Sequence, residues 1–179
     1  WHYICDKHNF YIILPDVYSY NKPIKEQRVD LYALYLKRLA KRLDASINLR
    51  ESFTSSYRKQ FTPALGIKYS VLNYDANKLF MKFSISRSYK IPTFNDRFWG
   101  NVGNPNLLPE MGLNYELNTS YSYNSQTFKT TLGISGFWID VDNWIQWKNG
   151  GNVWYPENYK NVISKGLEFN ASADFILSS

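Results

Sequence analysis

The chain has 179 residues, enough for one domain, and its single cysteine, Cys5, cannot form an internal disulfide. The formal net charge is +6, but Lys and Arg are scattered along the chain, which argues against a nucleic-acid-binding surface. Aromatic residues make up 18% of the chain, and Asn, Ser, Thr and Tyr are plentiful, a balance that favours β structure with polar loops.

The N-terminal part of the chain has a weak pattern. Residues 9–14 (NFYIIL) predict a short strand, which Pro15 ends. Residues 16–28 are mostly polar and charged and predict a loop. Residues 29–37 (VDLYALYLK) are compatible with either a strand or a short helix, and residues 38–41 predict a tight connection.

From residue 41 onward, apolar and polar side chains alternate with a period of two. Because successive side chains of a strand point to opposite faces, each segment has one apolar and one polar face. In residues 79–86, for example, Met81 and Phe83 face one way, whereas Lys82 and Ser84 face the other. The segments with this pattern are 41–53, 61–71, 79–86, 113–123, 128–138 and 167–175.

Two architectures fit such strands: a soluble sandwich that buries the apolar faces, and a membrane barrel that turns them towards lipid. Several strands have about eleven residues, against a usual ~5–6 in globular proteins, and aromatic residues gather near strand ends. No apolar run approaches the ~18 residues of a membrane helix, whereas a barrel strand needs only ~9–11. Short connections also alternate with longer ones, as in outer-membrane barrels. The short ones are 38–41, 73–78 and 124–127, and the others are 54–60, 87–112 and 139–161. The pattern therefore favours the barrel.

The irregular stretch after residue 86 carries a family resemblance. Residues 87–99 (RSYKIPTFNDRFW) and 103–110 (GNPNLLPE) resemble a loop of TonB-dependent outer-membrane receptors. Asn118 stands where that family commonly has Gly. Further stretches that resemble the family, in chain order, are 61–69 (FTPALGIKY), 113–116 (LNYE), 138–147 (WIDVDNWIQW) and 161–168 (NVISKGLE). Within the family, the chain is most similar to cobalamin and ferric-siderophore receptors, and its Asn, Lys and Tyr content indicates a source among Bacteroidota.

The resemblance implies an all-β, antiparallel transmembrane barrel, of which residues 1–179 supply about seven or eight of probably 22 strands. In the family, a plug domain closes the barrel and engages the TonB energy-coupling protein. No plug is recognised in these residues, so we expect this segment not to transport anything alone. The implied function is import of vitamin B12 or a ferric siderophore across the outer membrane of a Gram-negative bacterium. The implied partners are lipid, plug, TonB protein and ligand, without a cofactor or covalent chemistry.

Loop side chains are the candidates for ligand contact. An indole or phenol ring offers a large apolar face with a polar handle, which suits a corrin, catechol or sugar ring. Asn and Arg suit an oxygen-rich ligand. The candidates are Arg97, Trp99, Asn101, Asn104, Asn106, Trp144, Trp147, Trp154 and Tyr155. The alternative for Trp144 is an anchor at the outer interface, the role expected for Trp138. Pro105, Pro109 and Glu110 are expected to shape the loop.

Basic residues on the polar faces of the strands would line the lumen. They are Arg42, Arg50, Lys68, Lys82 and Lys129. Such residues pair with acidic neighbours and with the plug, or they steer an anionic ligand through the lumen. The expected acidic neighbours are Asp44, Glu116 and Glu168.

No catalytic set stands out, and no metal site is predicted. His2 and His8 have no zinc-site spacing to Cys5. Asp140 and Asp142 would suit calcium, but a solvated loop is the simpler interpretation.

Two other functions remain open from the sequence. A soluble β-sandwich would bind glycans through the loop Trp residues, and a passive porin would conduct without energy coupling. Detergent dependence separates the sandwich from the barrel, and a plug encoded upstream separates the receptor from the porin.

Overall fold

A computed structural model describes residues 11–13, 16–19 and 22–175, with side chains from residue 25 to residue 175. His2, Cys5 and His8 lie outside the described residues. The strands are β1 (Tyr11–Ile13), β2 (Asp16–Ser19), β3 (Lys22–Lys25), β4 (Arg28–Ala40), β5 (Leu43–Thr54), β6 (Gln60–Phe61), β7 (Ala64–Tyr74), β8 (Asn77–Lys90), β9 (Glu110–Asn124), β10 (Phe128–Asn149) and β11 (Trp154–Phe175). The helix α1 (Phe94–Phe98) is short, and no described helix is long and apolar enough to cross a membrane.

The strands form an antiparallel sheet in which neighbours in sequence are neighbours in space. The order is β1-β4-β5-β7-β8-β9-β10-β11, with β6 paired to β5, while β2 and β3 form a separate hairpin. No second sheet covers a face of the large sheet within the described residues. This single-layer arrangement confirms the all-β barrel-wall prediction and contradicts the soluble sandwich, which needs two packed layers.

The register aligns the apolar side chains of successive strands in rows. One row runs through Tyr35, Ile47, Leu65, Ile85, Tyr115 and Trp138. The next row contains Ile67, Phe83, Leu117 and Leu167. Leu117 and Leu167 remain 47% and 68% exposed, so this face is apolar but uncovered. A continuous apolar face of this kind is normal for a barrel wall in lipid and abnormal in water.

Aromatic residues mark the ends of the apolar face. At the end near the 125–127 turn, the rings of Phe128 and Phe175 lie 5.1 Å apart. Nearer the other end, the ammonium of Lys165 lies 5.2 Å from the ring centroid of Trp138, which is 45% exposed. Aromatic rings at both edges of an apolar band are typical of interfacial girdles.

Two predicted loops are wrong. Residues 16–28 contain the β2–β3 hairpin and the start of β4. Residues 139–161 are mainly strand, because β10 and β11 each run for 22 residues and only residues 150–153 connect them. At about 3.3 Å per residue, each strand reaches roughly 70 Å, so this hairpin extends well beyond the ladder with β9. The polar residues Asp140, Asp142 and Asn143 interrupt the apolar–polar alternation, so the sequence pattern does not indicate a strand here. Asn143 also has a φ of 56° within the strand.

Candidate ligand-binding surface

The connection between β8 and β9, residues 91–109, is a folded loop that starts with α1. Thr93 caps this helix: its Oγ1 accepts a hydrogen bond from the Asp96 amide at 3.1 Å, and the Asp96 carboxylate accepts one from the Thr93 amide at 2.9 Å. After the helix, the Gly103 amide donates to the Trp99 carbonyl at 3.0 Å, and the Asn104 amide donates to the Asp96 carbonyl at 2.8 Å. Reciprocal capping and these backbone bonds give the loop a defined shape.

Asp96 also joins this loop to the β10–β11 hairpin. The indole Nε1 of Trp147 donates to Asp96 Oδ1 at 2.9 Å. Burial raises the pKa of Asp96, but the hydrogen bonds from Thr93 and Trp147 outweigh burial, so the pKa lies below its ordinary value. Trp147 also contacts Trp99, with ring centroids 6.0 Å apart in an edge-to-face geometry.

The lowered pKa of Asp96 predicts that acid releases the loop. A carboxyl whose pKa is depressed by folding stabilises the folded loop above its unfolded pKa of ~3.9 and loses that contribution as pH falls through the folded value. We therefore expect Trp147 fluorescence in the full-length receptor to stay constant from neutral pH to about pH 5, then change below about pH 4. Asp96→Asn should abolish this acid transition. An identical transition in Asp96→Asn would contradict the assignment.

Arg97 lies inside the loop base rather than on its surface. It is 5% exposed and forms an ion pair with Glu26, which is 5% exposed itself. Its guanidinium carbon lies 4.9 Å from the Phe98 ring centroid, 5.0 Å from that of Phe94 and 5.5 Å from that of Tyr57. A guanidinium enclosed by three rings and a carboxylate fixes the loop to the residues before β4.

Asparagine side chains make a second attachment. The Leu108 amide donates to Asn158 Oδ1 at 2.8 Å, and Asn158 Nδ2 donates to the Leu108 carbonyl at 2.9 Å. Asn104 Nδ2 donates to the Pro156 carbonyl at 3.3 Å, and Asn104 Oδ1 accepts from the Asn106 amide. Asn104, predicted as a ligand group, therefore has its polar atoms engaged with the protein, whereas the Asn106 side chain is exposed.

Glu110 completes the attachment where β9 begins. It is 6% exposed, and Oε1 accepts a hydrogen bond from the Ile145 amide at 3.0 Å and from Lys90 Nζ at 3.0 Å. The β9–β10 ladder ends at the Met111–Asp142 pair, so the carboxylate satisfies a buried strand amide just beyond the ladder.

The remaining aromatic candidates divide between the two sides of the hairpin. Trp147 pairs with Pro156, so Trp154, two residues before Pro156, lies on the same side as Trp147. Trp144 and Tyr155 lie on the opposite side by the same alternation. On the Trp147 side, Trp99 is 60% and Trp154 is 57% exposed. Asn101, at the turn after α1, is exposed as well.

Four of the five predicted lumen residues lie at strand positions opposite the apolar rows. They are Arg50, Lys68, Lys82 and Lys129. The register places Lys68 opposite Lys82, with Asp44 next to Lys68 and Asn118 next to Lys82. Asp44, an expected acidic partner of the lumen residues, instead forms an ion pair with Arg38, with 3.0 Å between Arg38 Nε and Asp44 Oδ1. Arg50 instead pairs with Asp30 at 3.0 Å, and Lys68 lies 4.7 Å from the Phe80 ring centroid. Lys129 lies on the same face by the two-residue alternation, at its turn-proximal end, whereas Arg42 lies in the turn before β5.

The Asp140 and Asp142 side chains share one hydrogen-bond donor. Asn161 Nδ2 donates to an oxygen of each carboxylate, so the pair is bridged across the β10–β11 ladder. No group of three or more metal-ligating side chains occurs among the described residues.

Several residues that hold the surface together were missed from the sequence. They are Glu26, Tyr57, Asp96 and Asn158. Only Asp96 carries a local signal, because an acidic residue three positions after Thr93 is typical of a capping box. Glu26 and Asn158 act over separations of 71 and 50 residues, which no local pattern reveals.

A meandering antiparallel sheet with an exposed apolar face, a polar opposite face, and a long loop and an extended hairpin at one end defines part of an outer-membrane β-barrel. A sequence model described as "TonB dependent receptor-like, beta-barrel" matches residues 5–179. The chain therefore belongs to the TonB-dependent receptor β-barrel family, whose members are outer-membrane receptors and transporters rather than enzymes.

Named relatives agree with this family. The chain is 28% identical over 153 residues to the vitamin B12 transporter BtuB of Photobacterium profundum, covering 82% of this chain and 24% of that protein. It is 27% identical over 157 residues to BtuB of Vibrio vulnificus, covering 86% and 24%. The chain thus spans about a quarter of the length of these relatives.

Solved structures share the fold. The siderophore receptor PirA from Pseudomonas aeruginosa superposes with a TM-score of 0.67 at 24% identity, covering 82% of this chain and 28% of that one. The copper transporter OprC superposes with a TM-score of 0.57 at 14% identity, covering 86% and 28%.

Proposed function

We propose that this chain is part of the barrel of an outer-membrane receptor that imports a scarce nutrient complex, either vitamin B12 or a ferric siderophore. The observation that carries the proposal is a pair of exposed indole rings, Trp99 in the loop and Trp154 in the hairpin. Hydrogen bonds of Asp96 and Asn158 hold the loop against the hairpin. The named functions of the vitamin B12 transporters and the siderophore receptor support this choice of ligands.

The ligand would contact the side of the hairpin that carries Trp147 and Trp154, together with Trp99 of the adjoining loop. Trp99 and Trp154 offer exposed ring faces, and Asn101 and Asn106, in the same loop as Trp99, are exposed too. Arg97 and Asn104 would instead act indirectly, because their polar groups hold the loop in place. Trp144 and Tyr155, on the opposite side of the hairpin, stay predictions as ligand contacts.

The polar face of the sheet would line the lumen of a barrel of probably 22 strands. Lys68 and Lys82 lie directly opposite each other, and like charges in this position repel. An acidic group of the plug or an anionic ligand would relieve that repulsion. The plug, the TonB energy-coupling protein and outer-membrane lipid are the proposed partners. Membership of Bacteroidota stays a prediction from composition; the named relatives come from Photobacterium and Vibrio.

Replacing Trp154 with Ala should weaken binding of the nutrient complex by the full-length receptor about tenfold or more, because a central Trp truncated at an interface commonly removes about 2 kcal/mol. The measurement is equilibrium binding of cyanocobalamin and a panel of ferric siderophores to the purified receptor in detergent. Trp138→Ala is the matched control, since Trp138 lies on the apolar face. Equal losses in both variants would assign the effect to stability rather than to contact.

Uptake by intact cells tests the proposed function as a whole. Deleting the gene should abolish accumulation of one labelled nutrient complex, and an uncoupler of the inner-membrane proton gradient should do the same in the parent strain. Uptake that is unaffected by the uncoupler would favour a passive porin. Normal uptake of every complex in the deletion strain would overturn the proposed ligands.

A further inference from the structure

An open groove crosses the apolar face of the sheet between β8 and β11. It has a volume of about 460 Å³, and Gly136 lies at its floor, where no side chain fills the space. A β-carbon at residue 136 would lie 3.2 Å from a Leu167 methyl group, which leans over the glycine. The apolar side chains along the groove are Phe83, Tyr115, Leu117, Trp138 and Leu167. On a face that lies in lipid, an acyl chain is the group that fills such a groove.

A cation lies at the end of the groove nearer the long loop. Lys165 pairs with Trp138 in the β10–β11 register, and its ammonium lies 5.2 Å from the Trp138 ring centroid. The Lys165 side chain is exposed and forms no ion pair within the part of the chain that the structure describes. Because Trp138 lies at the edge of the apolar band, the ammonium lies at the level of lipid headgroups.

Two carboxylates follow on the same face, farther from the apolar band. Asp140 and Asp142 are two and four residues beyond Trp138 in β10, so Asp140 lies roughly 7 Å from Trp138 along the strand. Asn161 Nδ2 donates to Oδ1 of both carboxylates. Neither Oδ2 atom accepts a hydrogen bond from a described residue, and the Asp142 side chain is exposed. Both carboxylates therefore keep an oxygen for a further donor.

The charges on this end of the face sum to zero. Arg87 is exposed and shares a row with Asp140, two strands away. Together with Lys165 it balances the two carboxylates. Farther out along the hairpin, Lys148 pairs with Glu157. A purely anionic headgroup would meet the carboxylates as well as the cations, whereas a zwitterionic headgroup suits a neutral set.

We propose that this groove binds an outer-leaflet lipid whose headgroup carries a phosphate followed by a primary ammonium, as phosphoethanolamine does. One acyl chain lies over Gly136, the phosphate accepts hydrogen bonds from Lys165, and the headgroup ammonium donates to Asp140 and Asp142. The order matches, because the phosphate of such a lipid is closer to the acyl chains than the ammonium is. The site faces the outer leaflet because the long loop and the extended hairpin lie at this end of the sheet. It is independent of nutrient import.

The test measures which lipid occupies the groove, with a fluorophore placed beside it. Ile134→Cys is made in a cysteine-free full-length receptor that includes Cys5→Ser, and the new cysteine is labelled. Ile134 lies on the same face as Gly136, two residues away and outside the groove lining. The receptor is reconstituted into phosphatidylcholine that contains a small fraction of brominated lipid. The brominated lipids share their acyl chains and differ only in a phosphoethanolamine, phosphocholine or phosphoglycerol headgroup.

We expect the phosphoethanolamine lipid to quench most strongly, with an apparent affinity at least about threefold above the other two. Only this headgroup meets both charges of the site and also donates hydrogen bonds, since a quaternary ammonium has no N–H group. Lys165→Gln should remove the preference. Lys37→Gln, a cation in β4 at the opposite end of the same face, is the matched control and should leave it unchanged.

The double variant Asp140→Asn with Asp142→Asn supplies a readout that misfolding would not produce. It leaves the two cations without carboxylates, so the preference should move to the phosphoglycerol lipid. Equal quenching by all three lipids, a phosphoglycerol preference in the parent receptor, or equal losses in Lys165→Gln and Lys37→Gln would each overturn the proposal. The measurement is made without any nutrient complex, so its failure leaves the proposed import untouched.

Discussion

Arg97→Met in the full-length receptor should destabilise the loop of residues 91–109 by about 3–5 kcal/mol, because it leaves the buried Glu26 carboxylate without its partner. The thioether side chain is close to Arg in length but supplies neither charge nor donors. Loss of the guanidinium also removes its contacts with the Tyr57, Phe94 and Phe98 rings. Amide hydrogen exchange of the loop is the measurement, and we expect protection to fall sharply there.

The double variant Glu26→Met with Arg97→Met separates charge burial from lost contacts. A buried ion pair replaced by apolar side chains is often neutral in stability, so protection should largely return. Lys59→Met provides a control for a partly exposed pair: Lys59 is 68% exposed beside Glu51, and such pairs contribute about 1 kcal/mol or less. If Arg97→Met behaved like Lys59→Met, the loop would not depend on the buried pair.

Gly103→Ala is the second large effect. A β-carbon at residue 103 would lie 2.6 Å from the Trp99 amide nitrogen and 2.7 Å from the Phe98 amide nitrogen. Both atoms are backbone and cannot rotate away, so the turn after α1 must shift. We expect about 1–3 kcal/mol of destabilisation and displacement of Trp99, seen as altered Trp fluorescence and weaker binding of the nutrient complex.

Gly100 offers a matched control only three residues away. Its φ is +50°, and a β-carbon there would meet nothing within 4 Å. Asn tolerates this left-handed conformation, so Gly100→Asn should leave loop protection nearly unchanged. An effect of Gly100→Asn as large as that of Gly103→Ala would show that the turn is sensitive to any side chain, rather than to the close approach of the backbone.

The transmembrane part of the fold was predictable because one physical pattern dominates it. Alternation in residues 79–86 puts Met81 and Phe83 on one face, and the ladder with β9 confirms that face. The extended hairpin was missed because its polar side chains interrupt the alternation: Asp140, Asp142 and Asn161 bond to one another across the ladder. Strand pairing there depends on partners about 20 residues apart, which a local pattern does not contain.

The candidate surface was predictable in composition but less so in geometry. The Trp residues were identified because they cluster between residues 99 and 154. The sequence could not tell which of them face each other, since Trp99 contacts Trp147, which lies 48 positions later in the chain. It also could not separate Arg97, enclosed by rings and a carboxylate, from the exposed Asn101. Burial of a charged side chain depends on a distant partner, here Glu26.

Lipid contact at two adjacent residues of β7 shows directly whether the apolar face of the sheet lies in the bilayer. Ile67→Cys and Lys68→Cys are made in a cysteine-free full-length receptor that includes Cys5→Ser. Each is labelled with the same fluorophore and reconstituted into bilayers that contain brominated lipid. Ile67 belongs to the apolar rows and Lys68 to the polar face. We expect strong quenching at residue 67 and little at residue 68. Equal quenching at both positions, or the reverse order, would contradict a barrel wall with its apolar face in lipid.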